Sequence, residues 1–152
     1  MPVLFFDSSA LAKRYMPEIG TKWVRQNTAS RGGNDIAIAQ ITPVEIYSAI
    51  SRQYHDSYID LRRLQAFRKL MARHIHEQYL VITLSDTITQ NALTLQEKYR
   101  LRAYDAVQLA SAQVLNTRLR STAKIVFVVA DNRLLAAAIS EGLTTDNPNT
   151  YA

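Results

Sequence analysis

The chain has 152 residues, none of them cysteine, with 47% hydrophobic residues and only four glycines and four prolines. This length buries roughly two thirds of the unfolded surface in one core, and without cysteine neither disulfides nor thiolate metal sites can form, so any metal must be held by oxygen or imidazole. Eighteen Lys and Arg against 13 Asp and Glu give a formal charge of +5, which favours a polyanionic partner.

In chain order, Val3-Leu4-Phe5-Phe6 is a short continuous apolar run, as expected of a strand covered on both faces. Asp7 follows it directly. Helices are predicted from about Ser9 to Met16 and from about Gly20 to Thr28, and Ser30 to Asn34 is a loop. A strand at Asp35 to Ala39 leads to Thr42-Pro43-Val44-Glu45, a capping box with proline at the first helical position. A helix then runs from Pro43 to about Tyr54, with Glu45 free to bond back to the Thr42 amide.

Asp60 to Tyr79 carries Leu61, Leu64, Phe67, Leu70, Met71 and Ile75 at spacings of three and four. This is an amphipathic helix with Arg62, Arg63, Arg68, Lys69 and Arg73 on its solvated side. A strand at Tyr79 to Leu84 precedes a helix capped by Ser85 or Asp86 and running to about Tyr99. A further helix covers about Tyr104 to Asn116. Ile125 to Val129 is the last predicted strand, followed by Asp131, a helix from about Asn132 to Glu141, and Gly142 as its stop signal.

Strands alternating with helices or helix pairs predict an α/β fold, a three-layer α/β/α arrangement with a mainly parallel central sheet, in one domain spanning 1–152. No run approaches membrane-spanning length, and Met1 to Asp7 lacks a basic segment followed by a long apolar one. A cytoplasmic location is therefore the expectation.

Ligands of open parallel sheets bind outside the carboxyl ends of the strands, where Asp7 and Asp131 fall. Glu45 and Asp105 open helical patterns, which completes a set of four carboxylates suited to a hard divalent metal. Each acid alone has a bland reading: Glu45 in its capping box, Asp131 as an N-cap, Asp7 in the turn that Ser8 or Ser9 caps. Asp105 is harder to dismiss, because Ala106 to Leu115 is apolar around most of its circumference and a partly buried anion needs a cation or donors beside it. Arg100 and Arg102 are the candidates. The histidines do not compete as ligands, since His74 and His76 do not share a helical face and His55 lies elsewhere; all three are expected at the surface.

The segments Asp7-Ser8-Ser9-Ala10-Leu11-Ala12-Lys13-Arg14-Tyr15, Thr42-Pro43-Val44-Glu45, Leu101-Arg102-Ala103-Tyr104-Asp105-Ala106-Val107-Gln108-Leu109-Ala110 and Val129-Ala130-Asp131-Asn132-Arg133-Leu134 together resemble the motifs of PIN-domain ribonucleases, particularly VapC-type toxins. They stand in the family's order over nearly the whole chain. Asp7, Glu45, Asp105 and Asp131 match the family's four acids, and Ser9 matches the hydroxyl residue that supports the first. Ala130 departs from the pattern, since relatives often carry a small hydroxyl residue before the last acid.

The resemblance implies a metal-dependent endoribonuclease that leaves a 5′-phosphate and a 3′-hydroxyl. Asp7, Glu45 and Asp105 would be the primary ligands, with Asp131 as a further or outer ligand and Ser9 orienting Asp7. Oxygen donors favour Mg²⁺, with Mn²⁺ as a substitute. Lys13, Arg14, Arg100 and Arg102 flank the acids as RNA-binding candidates, and Tyr15 and Tyr104 are placed either to stack on bases or to pack. The implied partners are RNA, a second copy in a homodimer, and a small cognate antitoxin encoded adjacently, whose C-terminal segment would lie in a groove of this chain that includes the Asp60 to Tyr79 helix.

Two readings stay beside this one: a PIN nuclease of RNA maturation, and a non-catalytic RNA- or partner-binding module on the same fold. A phosphoaspartyl enzyme would want a second Asp where Ser9 stands. A receiver domain would want a Lys ending a late strand, whereas Lys124 begins one.

Overall fold

The computed structural model describes residues 2–152. Five strands, β1 (Val3–Phe6), β2 (Asp35–Ala39), β3 (Tyr79–Ile82), β4 (Ile125–Val128) and β5 (Thr145–Asp146), form one sheet in the order β3-β2-β1-β4-β5. Every pairing is parallel. The helices are α1 (Ser8–Tyr15), α2 (Thr21–Thr28), α3 (Thr42–His55), α4 (Leu61–Glu77), α5 (Asp86–Lys98), α6 (Ala103–Leu119) and α7 (Asn132–Ser140), and a 3-10 turn at Pro148–Thr150 follows β5.

The period-two alternation of a strand decides which side of the sheet each residue serves. Leu4 and Phe6 of β1 join Ile36 and Ile38 of β2 in a core with Leu11, Val24, Ile46, Ile50 and Leu64, so α1 to α4 cover that face. Val3 and Phe5 point the other way, into a core with Ile88, Leu95, Leu109, Phe127 and Leu134 from α5, α6, α7 and β4. The α/β/α layering is thus a consequence of burying both faces of an all-parallel sheet.

From β1 the chain first moves outward through β2 to β3, then crosses back to place β4 on the other side of β1. The strand order reverses between β1 and β4, and a crevice opens at the carboxyl ends of such a pair. Phe6 is in register with Val128, and the Phe5 and Phe127 rings pack at 5.8 Å between centroids. Both rings are fully buried, each contributing roughly 1.5–3 kcal/mol of burial, and that contact fixes the level at which the two following acids emerge.

The predicted elements all form, and two features lie beyond them. β5 is a two-residue strand, Thr145–Asp146, without an apolar run to announce it. The turn after it packs against Gly20, whose φ is +86° and where an added Cβ would lie 2.3 Å from the Pro148 carbonyl oxygen. Tyr151 stacks on Trp23 of α2, with centroids 4.7 Å apart and planes within 5°.

The expectation of three surface histidines fails at His74. It is buried, and its Nδ1 lies 2.8 Å from the Tyr15 hydroxyl, which is also 2.8 Å from the Tyr79 hydroxyl. Burial lowers the His74 pKa from 6.5 to about 4, with Arg14 and Arg73 adding to the effect. Tyr15 therefore packs rather than stacks on a base, while Tyr104 is exposed. The pattern misled because the buried seam of α4 is completed by Leu64, Met71 and His74, one or two turns apart.

Candidate active site

Asp7 follows β1 directly and caps α1: its Oδ1 accepts the Ala10 amide at 2.9 Å. Asp131, three residues past β4, caps α7 in the same way through the Leu134 amide at 2.9 Å. The capping reading is correct for Asp131, whereas at α1 the cap is Asp7 itself and not Ser8 or Ser9; a carboxylate has two oxygens and a cap occupies one. Asp7, Glu45, Asp105 and Asp131 all line a single cavity of about 210 Å³, together with Ser8, Ser9 and Arg102. Strand ends supply two of the acids and helix starts the other two.

Glu45 does not close a capping box. Helix α3 begins with Ile41 at its cap and no side-chain capping bond, and Thr42 turns inward, fully buried. The Glu45 carboxylate instead accepts the Ser8 hydroxyl at 2.8 Å and the Gln108 amide at 2.9 Å, both at Oε1. Proline at the second position of the helix supplies the start that the box would have supplied.

Asp105 stands in the first turn of α6 beside Arg102, the residue at that helix's cap. Arg102 Nε donates to Asp105 Oδ2 at 3.1 Å, and its Nη2 lies 3.6 Å from Asp131 Oδ2. The guanidinium therefore bridges two of the four acids, as the compensating cation expected for Asp105. Arg100 is exposed and lies off the cavity lining.

Lys13 and Arg14 are not brought to the acids. Lys13 is buried and paired with Glu18 at 3.2 Å, and Arg14 reaches the Tyr79 hydroxyl and lies over its ring. A cation not singled out from sequence takes their place: Arg133, at the start of α7, lines a neighbouring 540 Å³ cavity with Arg102, Asp105 and Asp131.

Ser9 ties the two strand ends together. Its hydroxyl lies 2.8 Å from both oxygens of Asp7 and accepts the backbone amides of Ala130 at 3.0 Å and Asp131 at 3.2 Å. The Ala130 carbonyl in turn accepts Asn149 Nδ2 at 3.2 Å. The loop before Asp131 is thus held through its backbone, and a hydroxyl on residue 130 is not needed for that purpose.

Burial, and to a lesser degree neighbouring anions, shows in the protonation of these acids. Asp7 is pushed up from 3.8 to about 7, chiefly by burial, with the Asp105 charge adding to it and the Ala10 and Ser9 bonds opposing. Asp105 is also raised, by burial first and by Asp131, against the pull of Arg102. Arg102 is held above its ordinary value by Asp105.

An all-oxygen donor set with surplus negative charge suits a hard divalent cation in chemistry. In spacing, no three His, Cys, Asp or Glu side chains among the described residues already form a metal cage. Glu45 Oε1 is committed to Ser8 and Gln108, and Arg102 spans Asp105 and Asp131. The donor set thus fits a hard divalent cation in kind, and the Arg102 side chain that spans two of its acids is 77% exposed.

Gln108 was not anticipated from sequence. It is 1% exposed, and its signal was a lone amide three residues after Asp105 in an otherwise apolar stretch of helix.

The PIN domain family profile matches residues 4–144. The chain belongs to the PIN-domain family. PIN domains are generally nucleases that use divalent metal ions. Among solved structures, this PIN domain is similar to a toxin-antitoxin complex from Klebsiella pneumoniae, at 19% identity over 95% of this chain and 97% of that one, with a TM-score of 0.61. It is also similar to VapBC2 from Rickettsia felis bound to a promoter DNA fragment, at 14% identity over 95% and 98% of the two chains, TM-score 0.61. PAE2754 from Pyrobaculum aerophilum is 17% identical over 98% and 91%, TM-score 0.59. At these identities the likeness is one of fold. No curated protein sequence matches the chain. Among the described residues, no helix is long and apolar enough to cross a membrane.

Proposed function

We propose that this PIN domain is a Mg²⁺- or Mn²⁺-dependent endoribonuclease and the toxin of a toxin-antitoxin pair. The observation that carries the catalytic reading is the gathering of Asp7, Glu45, Asp105 and Asp131 around one cavity in a chain whose net charge is +5. Such a site repels a phosphodiester unless cations intervene. Divalent metal held by these acids would polarise the phosphate, acidify a bound water and stabilise the leaving oxygen.

The protein's own groups do the rest. Asp7, buried, and Asp105, half-buried, provide the acidic floor, and Ser9 holds Asp7 against the β4 end. Arg102 and Arg133 line the adjoining cavity, where they would receive phosphates flanking the scissile one. An RNA substrate is favoured by the resemblance of the four motifs to PIN ribonucleases. The toxin role, a small antitoxin and a homodimer rest on that resemblance and on the complexes that share the fold. The cytoplasm is the proposed compartment.

The deciding experiment incubates purified, antitoxin-free protein with single-stranded RNA and single-stranded DNA, with Mg²⁺, with Mn²⁺ and with excess EDTA. Cleavage of RNA that stops in EDTA and in Asp7→Asn is the expected result. Undiminished cleavage in chelator would overturn the assignment, as would full activity in both Asp7→Asn and Asp105→Asn. Growth arrest on expression, relieved by the product of an adjacent short reading frame, separates toxicity from RNA maturation.

A further inference from the structure

Gln108 is a buried amide at the meeting point of three elements. Its Nε2 lies 2.8 Å from the Ser8 hydroxyl of α1, 2.8 Å from the Thr42 hydroxyl of α3 and 2.9 Å from Glu45 Oε1. Its Oε1 lies 3.2 Å from the Thr42 hydroxyl. Ser8 donates to the same Glu45 oxygen at 2.8 Å. The amide has two protons for three acceptors, so the four side chains form one shared network in which Glu45 is the only charged member.

Two consequences follow from where this network sits. Both bonds to Glu45 converge on Oε1, which leaves Oε2 for a cation in the cavity that Glu45 lines. Gln108 also lies three residues beyond Asp105, on the same face of α6. One helix therefore carries one acid and grips another that belongs to α3, so the separation of Asp105 and Glu45 is set by about one turn of α6. A Glu side chain at a helix start has three torsions to choose from, and a buried donor on a neighbouring helix selects among them.

We propose that Gln108 is the positioning residue for Glu45: it acts through that carboxylate to set the geometry of the metal site. This rests on the metal-dependent reading above. Groups that orient metal ligands typically change metal affinity by roughly 10- to 100-fold when removed, which gives the expected size of the effect.

The test is Mn²⁺ binding to the whole, RNA-free protein by calorimetry and electron paramagnetic resonance, with circular dichroism and a thermal melt to report the fold. The proteins are the parent, Gln108→Met, Glu45→Gln and the double variant. Gln108→Met should weaken Mn²⁺ binding about tenfold in the parent background and have no further effect once Glu45 is Gln. Gln108→Asn, which keeps an amide but withdraws it by one methylene, should also lose affinity, because the 2.9 Å contact is out of its reach.

If Gln108→Met and Gln108→Asn lower the melting temperature but bind Mn²⁺ as the parent does, the network is purely structural and the proposal falls. Equal losses of affinity with and without the Glu45 carboxylate would also overturn it, since Gln108 would then act by another route. A parent that takes up no Mn²⁺ at all overturns the metal-dependent reading itself, which distinguishes the two failures.

Discussion

The Ser9 hydroxyl lies 2.8 Å from the Asp7 carboxylate and accepts the Asp131 amide at 3.2 Å, so one oxygen atom joins the acids of β1 and β4. Ser9→Ala leaves the Ala130 and Asp131 amides without that acceptor and takes a donor from a buried carboxylate. The expected loss is about 1–3 kcal/mol of stability, the usual cost of orphaning partly buried polar groups. Because the Ser9 bond lowers the Asp7 pKa, the same variant should move that carboxyl further upward. Chemical denaturation and a carboxyl NMR titration of the metal-free protein measure the two effects.

The pH dependence of metal-free stability should show two opposed contributions. Asp7 titrates near 3.8 unfolded and about 7 folded, so the native state holds the extra proton and Asp7 lowers stability as pH rises through that window. His74 titrates near 6.5 unfolded and about 4 folded; there the unfolded state holds the extra proton, and stability is lost as pH falls. Between about pH 4 and 6.5 the two slopes oppose each other, and from 6.5 to 7 only the Asp7 effect remains. Asp7→Asn should therefore unmask a rise in melting temperature from pH 4 to 6.5, and His74→Phe a fall. Identical profiles in all three proteins would show that neither shift is present.

Asp105→Asn should raise the melting temperature of the metal-free protein. Burial and the Asp131 charge oppose ionisation of Asp105, and Arg102 only partly compensates; an ion pair with so exposed a partner contributes little. The gain is read as the difference in melting temperature between the two metal-free proteins at fixed ionic strength. Added Mn²⁺ should stabilise the parent through mass action and the variant much less. A destabilised variant that responds to Mn²⁺ like the parent would make Asp105 a structural helix-start residue.

Arg102 bridges Asp105 and Asp131, so on the metal-dependent reading it competes with a cation for the same carboxylates. Arg102→Gln should consequently tighten Mn²⁺ binding in the absence of RNA, by roughly tenfold, equivalent to about 1.4 kcal/mol. It should also weaken RNA binding and flatten its salt dependence by the loss of one phosphate contact. Calorimetry with Mn²⁺ and a salt series with a single-stranded oligonucleotide read these separately; weaker Mn²⁺ binding would mean that Arg102 assembles the acids instead of competing for them.

Residue order alone disclosed the strands that are buried on both faces, because continuous apolar runs as short as Val3–Phe6 and Ile125–Val128, rich in β-branched and aromatic residues, suit a covered strand better than a helix. It disclosed the acids for the same reason: Asp7 and Asp131 follow those runs directly or within three residues, and ligand crevices open at such ends. Strand β5 was hidden because two polar residues carry no period, and their pairing depends on a neighbour, β4, that is already in place.

Side-chain partners were decided by tertiary structure. Thr42-Pro43-Val44-Glu45 reads locally as a capping box, yet Glu45 bonds to Ser8, 37 positions away, and to Gln108, 63 positions away. Lys13 looks like a phosphate contact beside the first acid, yet it is buried against Glu18. His74 looks solvated, yet Tyr15 and Tyr79 enclose it. A period of 2 or 3.6 residues fixes which face a residue occupies, and that much is written in the chain. Which donor meets a given carboxylate depends on how faces from distant segments pack, because buried polar groups take whatever partner the packing brings within about 3 Å.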